Sequence, residues 1–390
     1  MFRRGFLYLG VALLGACAGS SSPSAPIAGG PSIELAPTGQ GQWSAPPVED
    51  NLDQVSNNGL GYTGEIDVYE LTVPAPGRLQ VALSWTEESD FDLILAADPE
   101  GNQKLATGQE NDFEPEYVGL DVAGGQTVYL FVAGWEGSPG DYTLETILLP
   151  PGAPVFAVES LPDPAIELAA NRPLRVRFNL ELDPGQDLDG RIYIAGAGRL
   201  ARGHWCVEGK EAVFFPDLPE LPGESCGLQP GDDYILQILR GPRGPRAVTG
   251  EYTSELVGEN YTVGPATDFD PAEPPRVTAV SPPPSLPWDG SELILALSEP
   301  LDPDTVFPLF FLVGPAGAET PIAFRFNLSQ QYDCDGRLEA RLSVWADEPI
   351  EPGSALRLVL PGTVLGLTGD PSPQNAIEGG AGFAVDFASR

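Results

Sequence analysis

Residues 78–85 read RLQVALSW, and this stretch decides the fold class. Apolar Leu79, Val81 and Leu83 alternate with polar or small residues. Successive side chains of a β-strand point to opposite faces, so a period of two is typical of a strand with one buried face. We therefore expect a strand here, with one face on a hydrophobic core and the other in water.

The same alternation recurs at residues 174–180 and again at residues 338–344. The chain contains 46 Gly and 42 Pro residues, which interrupt it too often for long helices. Short strands separated by turn residues are typical of β-sandwiches. The sequence thus predicts an all-β protein of three tandem β-sandwich domains.

Length and charge restrict the function. The chain has 390 residues, enough for several domains, and 42% of them are hydrophobic. Against 20 basic residues stand 56 acidic ones, for a formal net charge of −36. A surface this acidic repels phosphate backbones, so we expect no nucleic-acid partner. The single histidine, His204, excludes a metal site that needs several histidines.

Residues 1–16 predict a lipoprotein signal peptide. Two arginines precede an apolar run at 5–16 that is too short to span a bilayer. Residues 14–17 read LGAC and resemble a bacterial lipobox. That resemblance implies cleavage before Cys17 and a diacylglycerol on its sulfur, and several acyl chains together give durable membrane anchoring.

Residues 17–31 predict a flexible lipidated tether, because they are rich in Ser, Pro, Gly and Ala. Ala18 follows the cysteine, which resembles outer-membrane sorting in Gram-negative lipoproteins. We expect an outer-membrane lipoprotein whose body faces either the periplasm or the cell exterior. The lipid anchor would attach the protein to the membrane, and the negative charge of the body would keep the body away from anionic lipid.

Residues 32–150 are the first predicted domain. Five sequence landmarks occur in order: GEIDVY at 64–69, the strand at 78–85, SDFDLIL at 89–95, GGQTVY at 124–129 and GSPGDYTL at 137–144. This series resembles a bacterial pre-peptidase C-terminal domain. The resemblance implies a jelly-roll-like β-sandwich of the kind found in secreted proteins.

Residues 151–270 and 271–390 are predicted to be two copies of one domain. A Leu-Asp-Pro motif at 182–184 recurs at 301–303, an offset of 119 residues. Self-similarity at a fixed offset indicates an internal duplication.

Each copy resembles a known family, the second more closely than the first, and the resemblance implies that both are Ig-like domains. PRVTAVSP at 275–282 and SEPLD at 298–302 are similar to the opening strand and turn of the bacterial Ig-like domains of S-layer and surface proteins. Pro-rich segments at 149–154 and 265–275 separate the three domains. Because Pro-rich linkers are semi-rigid, we expect an elongated row of separate domains.

Three cysteines remain if Cys17 is lipidated. Cys206 and Cys226 lie in one predicted domain, and we take them as the candidate disulfide of an oxidising compartment. This disulfide would close a loop of about 20 residues and stabilise the fold by roughly 3 kcal/mol. This pairing leaves Cys334 unpaired, and the alternative is three buried free thiols.

Asp90, Asp92 and Asp112 are candidate calcium ligands, since hard cations bind several oxygen atoms. They lie among further acidic residues, but no EF-hand spacing is present. Ca²⁺ is thus the one cofactor we consider, and the alternative is an acidic face in water. Trp43, Trp135 and Trp288 are candidate platforms for sugar rings, although tryptophans in turns often fold back onto a core.

Catalysis finds little support in the sequence. His204 lies two residues from Cys206, but no glycine-rich nucleophile turn accompanies the pair. Nothing marks two of the acids as a glycosidase pair. We therefore expect a non-enzymatic, lipid-anchored envelope protein for binding, adhesion or structural display, whose partner is an envelope protein or a polysaccharide. The alternatives are a calcium- or carbohydrate-binding accessory subunit and a hydrolase that uses paired carboxylates.

The anchor gives a direct prediction. Cells that express the chain should incorporate labelled palmitate into it, and Cys17→Ser should abolish the label because the acceptor sulfur is gone. Cys226→Ser is the matched control and should keep the label. Label retained by Cys17→Ser would show that the lipobox interpretation is wrong.

Overall fold

A computed structural model describes residues 31–388, except for 40, 57–61, 86–88, 109–115, 197, 255, 271, 310, 314–323, 348–349, 351–352, 354, 371 and 373. The predicted signal peptide, Cys17 and most of the tether lie outside the described residues. Strands dominate, which confirms the predicted all-β class of tandem sandwiches. No helix among the described residues has the length and apolar character needed to cross a membrane.

The first block consists of two sheets. Its strands are β1 (Ser32–Ile33), β2 (Ala36–Gly39), β3 (Gln42–Ser44), β4 (Val48–Leu52), β5 (Ile66–Thr72), β6 (Gly77–Trp85), β7 (Ser89–Ala96), β8 (Lys104–Gly108), β9 (Glu116–Val122), β10 (Thr127–Gly137) and β11 (Gly140–Leu149). One sheet has the order β1-β5-β10-β7-β8, and the other has the order β2-β3-β11-β6-β9 with β4 also paired to β11. Apolar side chains from both sheets form one core between them.

Strand β6 shows where the predicted alternation holds and where it fails. Leu79, Val81 and Leu83 are fully buried in the first core, as predicted. The opposite face was predicted to lie in water, but Gln80 is only 3% exposed. Gln80 and, from the second block, Tyr252 line one small cavity on this face, so the second block covers it. The sequence pattern of a strand shows which residues share a face. Whether its polar face is buried depends on a neighbouring domain.

The second block is also a pair of sheets. Its strands are β12 (Val158–Ser160), β13 (Leu168–Ala169), β14 (Leu174–Phe178), β15 (Ile192–Gly196), β16 (Arg199–Leu200), β17 (Gly203–Glu208), β18 (Glu211–Pro216), β19 (Asp233–Ile238) and β20 (Val257–Gly264). A short 3-10 turn spans Gly241–Arg243. The strand orders are β12-β14-β18-β17 and β13-β20-β19-β15-β16.

The third block repeats this arrangement with fewer strands. It contains β21 (Val277–Ser281), β22 (Leu293–Leu297), α1 (Pro303–Leu309), β23 (Phe311–Val313), β24 (Phe324–Tyr332), β25 (Leu338–Ala346), β26 (Ala355–Leu360) and β27 (Phe383–Ala388), with a 3-10 turn at Ile377–Gly380. The strand orders are β21-β22-β25-β24 and β23-β26-β27.

The Leu-Asp-Pro motifs occupy equivalent positions in the second and third blocks. The amide of Asp183 donates to the carbonyl of Arg246 at 3.0 Å, and the amide of Asp302 donates to the carbonyl of Leu365 at 3.0 Å. Both partners are displaced by the same 119 residues. The four-stranded sheets also share one strand order, β12-β14-β18-β17 in one block and β21-β22-β25-β24 in the other. The sequence repeat therefore corresponds to a repeated fold.

The segment between the second and third blocks does not stand free, contrary to the expected row of separate domains. The Asn171 side chain of the second block donates to the carbonyl of Thr267 at 2.7 Å and accepts from its amide at 2.9 Å. The Arg172 guanidinium lies 4.6 Å from the ring centre of Phe269. Polar and aromatic side chains thus hold the linker against the second block, which a reading of its Pro content alone does not reveal.

Candidate functional site

The contact between the second and third blocks is built on one strand, β24. Leu328 lies in the third block's core, while Gln330 and Tyr332 are buried against the second block. Cys334 follows two residues later and is bonded to the second block. Because alternate residues share a face, the same side of the strand that enters its own core continues into the neighbouring block.

A disulfide joins Cys206 on β17 to Cys334 just beyond β24, with the two Cα atoms 5.4 Å apart. The predicted Cys206–Cys226 pairing is therefore wrong, and so is the expectation that Cys334 stays unpaired. Cys226 is a buried free cysteine, and burial raises the pKa of its thiol to about 11. The prediction rested on two cysteines in one domain, whereas bonding requires two Cβ atoms that face each other, which here occurs between β17 and the turn after β24.

The side chain of Gln330 uses both ends of its amide at this interface. Its Nε2 donates to the carbonyls of Pro219 at 2.7 Å and Leu301 at 2.9 Å, and its Oε1 accepts from the Leu301 amide at 2.6 Å. Its backbone amide donates to Glu220 Oε1 at 3.1 Å. A buried amide with every one of these groups partnered fixes the relative position of the two blocks.

Tyr332 inserts its ring among aromatic side chains of the second block and the linker. The ring centre lies 5.3 Å from that of Phe215 and 6.0 Å from that of Phe269. Its hydroxyl donates to the carbonyl of Asn171 at 2.9 Å. Burial raises the pKa of Tyr332 above its usual value, so the hydroxyl remains a donor at physiological pH.

Three carboxylates meet where the linker enters the third block. Glu299 is only 6% exposed, and burial together with the nearby charges of Asp268 and Asp270 raises its pKa to about 7. Backbone hydrogen bonds from Phe269 and Asp270 lower the pKa but do not offset the burial. The Thr368 hydroxyl donates to Asp268 at 2.8 Å, which fixes one neighbour of this carboxyl.

The candidate calcium ligands are only partly described. Asp112 lies outside the described residues, so the structure does not test the three aspartates as a set. Asp92 is 6% exposed and accepts a hydrogen bond from the Tyr62 hydroxyl, while Asp90 is half-buried on the same strand. The pKa of Asp92 is raised overall, because burial outweighs the lowering effects of the Tyr62 hydrogen bond and the Lys104 charge. The calcium site stays a prediction.

The three candidate sugar platforms differ in exposure. Trp288 is fully buried in the third core, and its Nε1 donates to the carbonyl of Ser291 at 2.8 Å, so this candidate is wrong. Trp43 and Trp135 are half-buried, and the Trp135 ring packs edge-on to Tyr62 at 5.6 Å. A tryptophan in a Pro-rich turn has folded back onto a core, as aromatic residues in turns often do.

The first block contains a tyrosine–carboxylate network that the sequence analysis missed. The hydroxyls of Tyr69 and Tyr142 lie 2.5 Å apart; Tyr69 donates to Asp50 at 2.7 Å and Tyr142 to Asp67 at 2.7 Å. Burial is the main cause that raises the pKa of both tyrosines and of Asp67. Asp67 and Tyr69 lie two residues apart on β5 and therefore share a face, which the sequence alone shows. Their partners on β4 and β11 are remote in sequence.

His204 and Cys206 share one face of β17, as their spacing predicts. The imidazole stacks on Phe215 with ring centres 5.5 Å apart. A cleft of about 300 Å³ opens beside His204 and is also lined by Glu220 and Gln330. Because the Cys206 sulfur is in the disulfide, it is not available there as a thiolate nucleophile.

Comparisons with known proteins find only weak similarity to solved structures. No known protein family matches the chain, and no curated protein matches it either. Among solved structures, a pre-peptidase C-terminal domain of a collagenase from Bacillus anthracis is 17% identical, covers 26% of this chain and 87% of its own, and has a TM-score of 0.22.

Two larger structures are similar at the same low level. The Endo-D glycoside hydrolase domain of Streptococcus pneumoniae R6 is 12% identical over 56% of this chain and 33% of its own, with a TM-score of 0.21. Dimeric latent PorU from Porphyromonas gingivalis is 10% identical over 81% of this chain and 30% of its own, with a TM-score of 0.18. TM-scores this low assign neither a family nor a function.

The disulfide predicts a difference between two cysteine variants. Cys334→Ser frees a loop of 128 residues in the unfolded chain. By chain entropy this should lower the free energy of unfolding by about 5 kcal/mol, as measured by denaturant titration without reductant. Cys226→Ser keeps the bond and should cost clearly less. Equal losses for the two variants, or an unfolded oxidised chain with a free Cys334, would contradict the pairing.

The buried carboxyl predicts a pH effect of defined sign. The pKa of Glu299 is raised from its usual 4.5 to about 7 in the folded chain. The folded state therefore binds this proton more tightly, and the contribution to stability is lost as the pH rises from about 4.5 through 7. Glu299→Gln should remove up to about 3 kcal/mol of that decline. Glu273→Gln, at an exposed linker position, is the control, and parallel pH profiles for wild type and Glu299→Gln would refute the assignment.

Proposed function

We propose that the chain is a lipid-anchored protein of the bacterial cell envelope that acts as a non-enzymatic spacer and display module. The observation that carries this proposal is the interface between the second and third blocks. There a disulfide, the partnered amide of Gln330 and the buried ring of Tyr332 hold two sandwiches in one arrangement. A spacer must keep its far end at a constant distance, which flexible linkers alone do not provide.

Contacts between the first and second blocks support the same role. The Tyr252 hydroxyl donates to Glu145 of the first block, and Arg246 lies 3.7 Å from the same carboxylate. The Tyr117 and Tyr252 rings pack edge to face at 6.2 Å. Gly241 lies against Tyr117 so closely that a Cβ there would come within 2.8 Å of the tyrosine's own Cβ. These contacts extend a defined arrangement over all three blocks.

The finer family assignments are part of this proposal. We take the first block as a pre-peptidase C-terminal-like sandwich on the order of its five sequence landmarks. We take the second and third blocks as Ig-like domains of the surface-protein type, on the PRVTAVSP and SEPLD motifs and on the strand order that the two blocks share. Both types of domain would serve here as building units and not as catalytic domains.

The location follows from the N-terminus. Cys17 would carry the lipid, and residues 17–31 would hold the body off the outer membrane. The net charge of −36 favours separation of the body from anionic lipid and disfavours nucleic acid. The partner would be an envelope protein or a polysaccharide, met by loops at the end of the row of sandwiches.

A spacer should be stiff, which small-angle X-ray scattering can measure. The oxidised full chain should give one narrow distribution of interatomic distances. The double variant Tyr332→Ala, Cys334→Ser removes both the inserted ring and the covalent bond, so its distribution should broaden and extend. The exposed variant Arg341→Ala is the control. A wild-type distribution as broad as that of the double variant would contradict a spacer role.

Turnover distinguishes the spacer from a hydrolase. The oxidised chain should hydrolyse none of a broad panel of peptidase and glycosidase substrates faster than a heat-unfolded sample does, because the proposed role requires no catalysis. Turnover that survives purification to homogeneity and disappears on unfolding would contradict the non-enzymatic role.

A further inference from the structure

The chain's one histidine lies beside its one described disulfide. A ring nitrogen of His204 and the sulfur atoms of Cys206 and Cys334 all lie within 4.8 Å of one another. His204 is half-buried, Cys206 is buried and Cys334 is exposed. The three donor atoms come from two blocks, and one side of the group is open to solvent.

We propose that reduction of the Cys206–Cys334 bond converts this place into a binding site for a thiophilic cation such as Zn²⁺, with His204, Cys206 and Cys334 as its protein ligands. A dithiol reductant supplies two electrons and two protons, so the disulfide becomes two thiols while the dithiol becomes a disulfide. The cation then displaces both thiol protons and binds two thiolates and one neutral imidazole. Water from the open side occupies the fourth position.

The donor set fits the chemistry of zinc. Zinc binds cysteine sulfur at about 2.3 Å and histidine nitrogen at about 2.0–2.1 Å in tetrahedral sites, which puts ligand atoms roughly 3.5–3.8 Å apart. The donor atoms here already lie within 4.8 Å of one another, so small side-chain rotations suffice. Two cysteines and one histidine with a water molecule are a known ligand set for zinc, and it requires only a single histidine.

The backbone keeps these residues in place once the sulfur–sulfur bond is broken. His204 and Cys206 lie on β17, which pairs with β18 along its whole length. The Asp333 carboxylate accepts from the amides of Asp335 at 3.0 Å and Arg337 at 2.8 Å, which fixes the turn that carries Cys334.

Two further contacts hold the histidine and the exposed cysteine independently of the disulfide. Tyr332, two residues before Cys334, remains inserted in the second block. The His204 ring stacks on Phe215 with ring centres 5.5 Å apart, and His204 also lines a cleft. The reduced state therefore retains a preformed set of donors instead of three scattered side chains.

A metal at this position preserves the link between the blocks under reducing conditions. Zinc would join His204 and Cys206 of the second block to Cys334 of the third, as the disulfide does when the surroundings are oxidising. The oxidised chain has no free thiolate at the site, so bound metal and intact disulfide exclude each other. This property goes beyond the spacer role and is independent of the identity of the envelope partner.

Cobalt absorption tests the site directly, because cobalt bound to thiolates in a tetrahedral site absorbs strongly. The full chain carrying Cys17→Ser is reduced with a phosphine, freed of reductant without air and titrated with Co²⁺ and then Zn²⁺. The reduced chain should bind one cobalt with thiolate charge-transfer absorption that zinc abolishes. The oxidised chain should show none.

Variants identify the ligands. Cys206→Ser and Cys334→Ser should each lose the charge-transfer absorption, and His204→Ala should weaken binding by about tenfold or more, as expected for loss of one ligand of three. Cys226→Ser is the matched control and should bind as wild type. His204→Ala leaves the disulfide intact, so its fold can be checked in the oxidised state.

Four results would overturn the proposal. The reduced chain could give no thiolate–cobalt absorption, the oxidised chain could give as much as the reduced one, or His204→Ala or Cys334→Ser could bind cobalt as tightly as wild type. Loss of the absorption in Cys226→Ser would equally overturn it, because the sulfur would then come from a different cysteine.

Discussion

The arrangement of the second and third blocks depends on the two-residue period of strand β24. One side of this strand carries Leu328 into the third block's own core. The same side, two and four residues further on, carries Gln330 and Tyr332 into the contact with the second block. Because a strand cannot change face without a bulge, the position of Leu328 determines where the next two side chains point. The register of one strand thus sets the contact between two domains.

This constraint also accounts for the disulfide. β17 and β24 are the edge strands of equivalent sheets in the repeat, and unprotected edges are liable to pair with other chains. Here the two edges contribute Cys206 and the residue just beyond β24, Cys334, which bond to each other. The two repeated sheets are therefore joined through equivalent edges, with Cys206 inside β17 and Cys334 in the turn that follows β24.

Local features of the fold could be predicted from the sequence, and remote pairings could not. The alternation of β14 is reproduced without exception, with Leu174, Val176 and Phe178 buried and the two arginines between them exposed. That pattern depends only on strand geometry and the nearest core. The spacing of His204 and Cys206 likewise predicted a shared face.

The missed features all depend on contacts between distant parts of the chain. Gln80 is buried because a second domain covers it, and Cys226 is free because a cysteine 128 residues from Cys206 is the nearer partner in space. Trp288 fills a core although its neighbours in sequence predict a turn. The repeat offset of 119 residues contained part of a signal, since it places the equivalent of Cys206 at Arg325 in β24, nine residues before Cys334. Only the fold shows that these two equivalent regions face each other.

Hydrogen exchange on the oxidised full chain tests most directly whether β24 joins the two blocks. Peptides that cover β18 (Glu211–Pro216) and β24 (Phe324–Tyr332) should exchange with the same opening free energy, because Tyr332 cannot leave the second block unless both strands open. Exchange of β24 that is much faster than that of β18, and independent of it, would contradict the account.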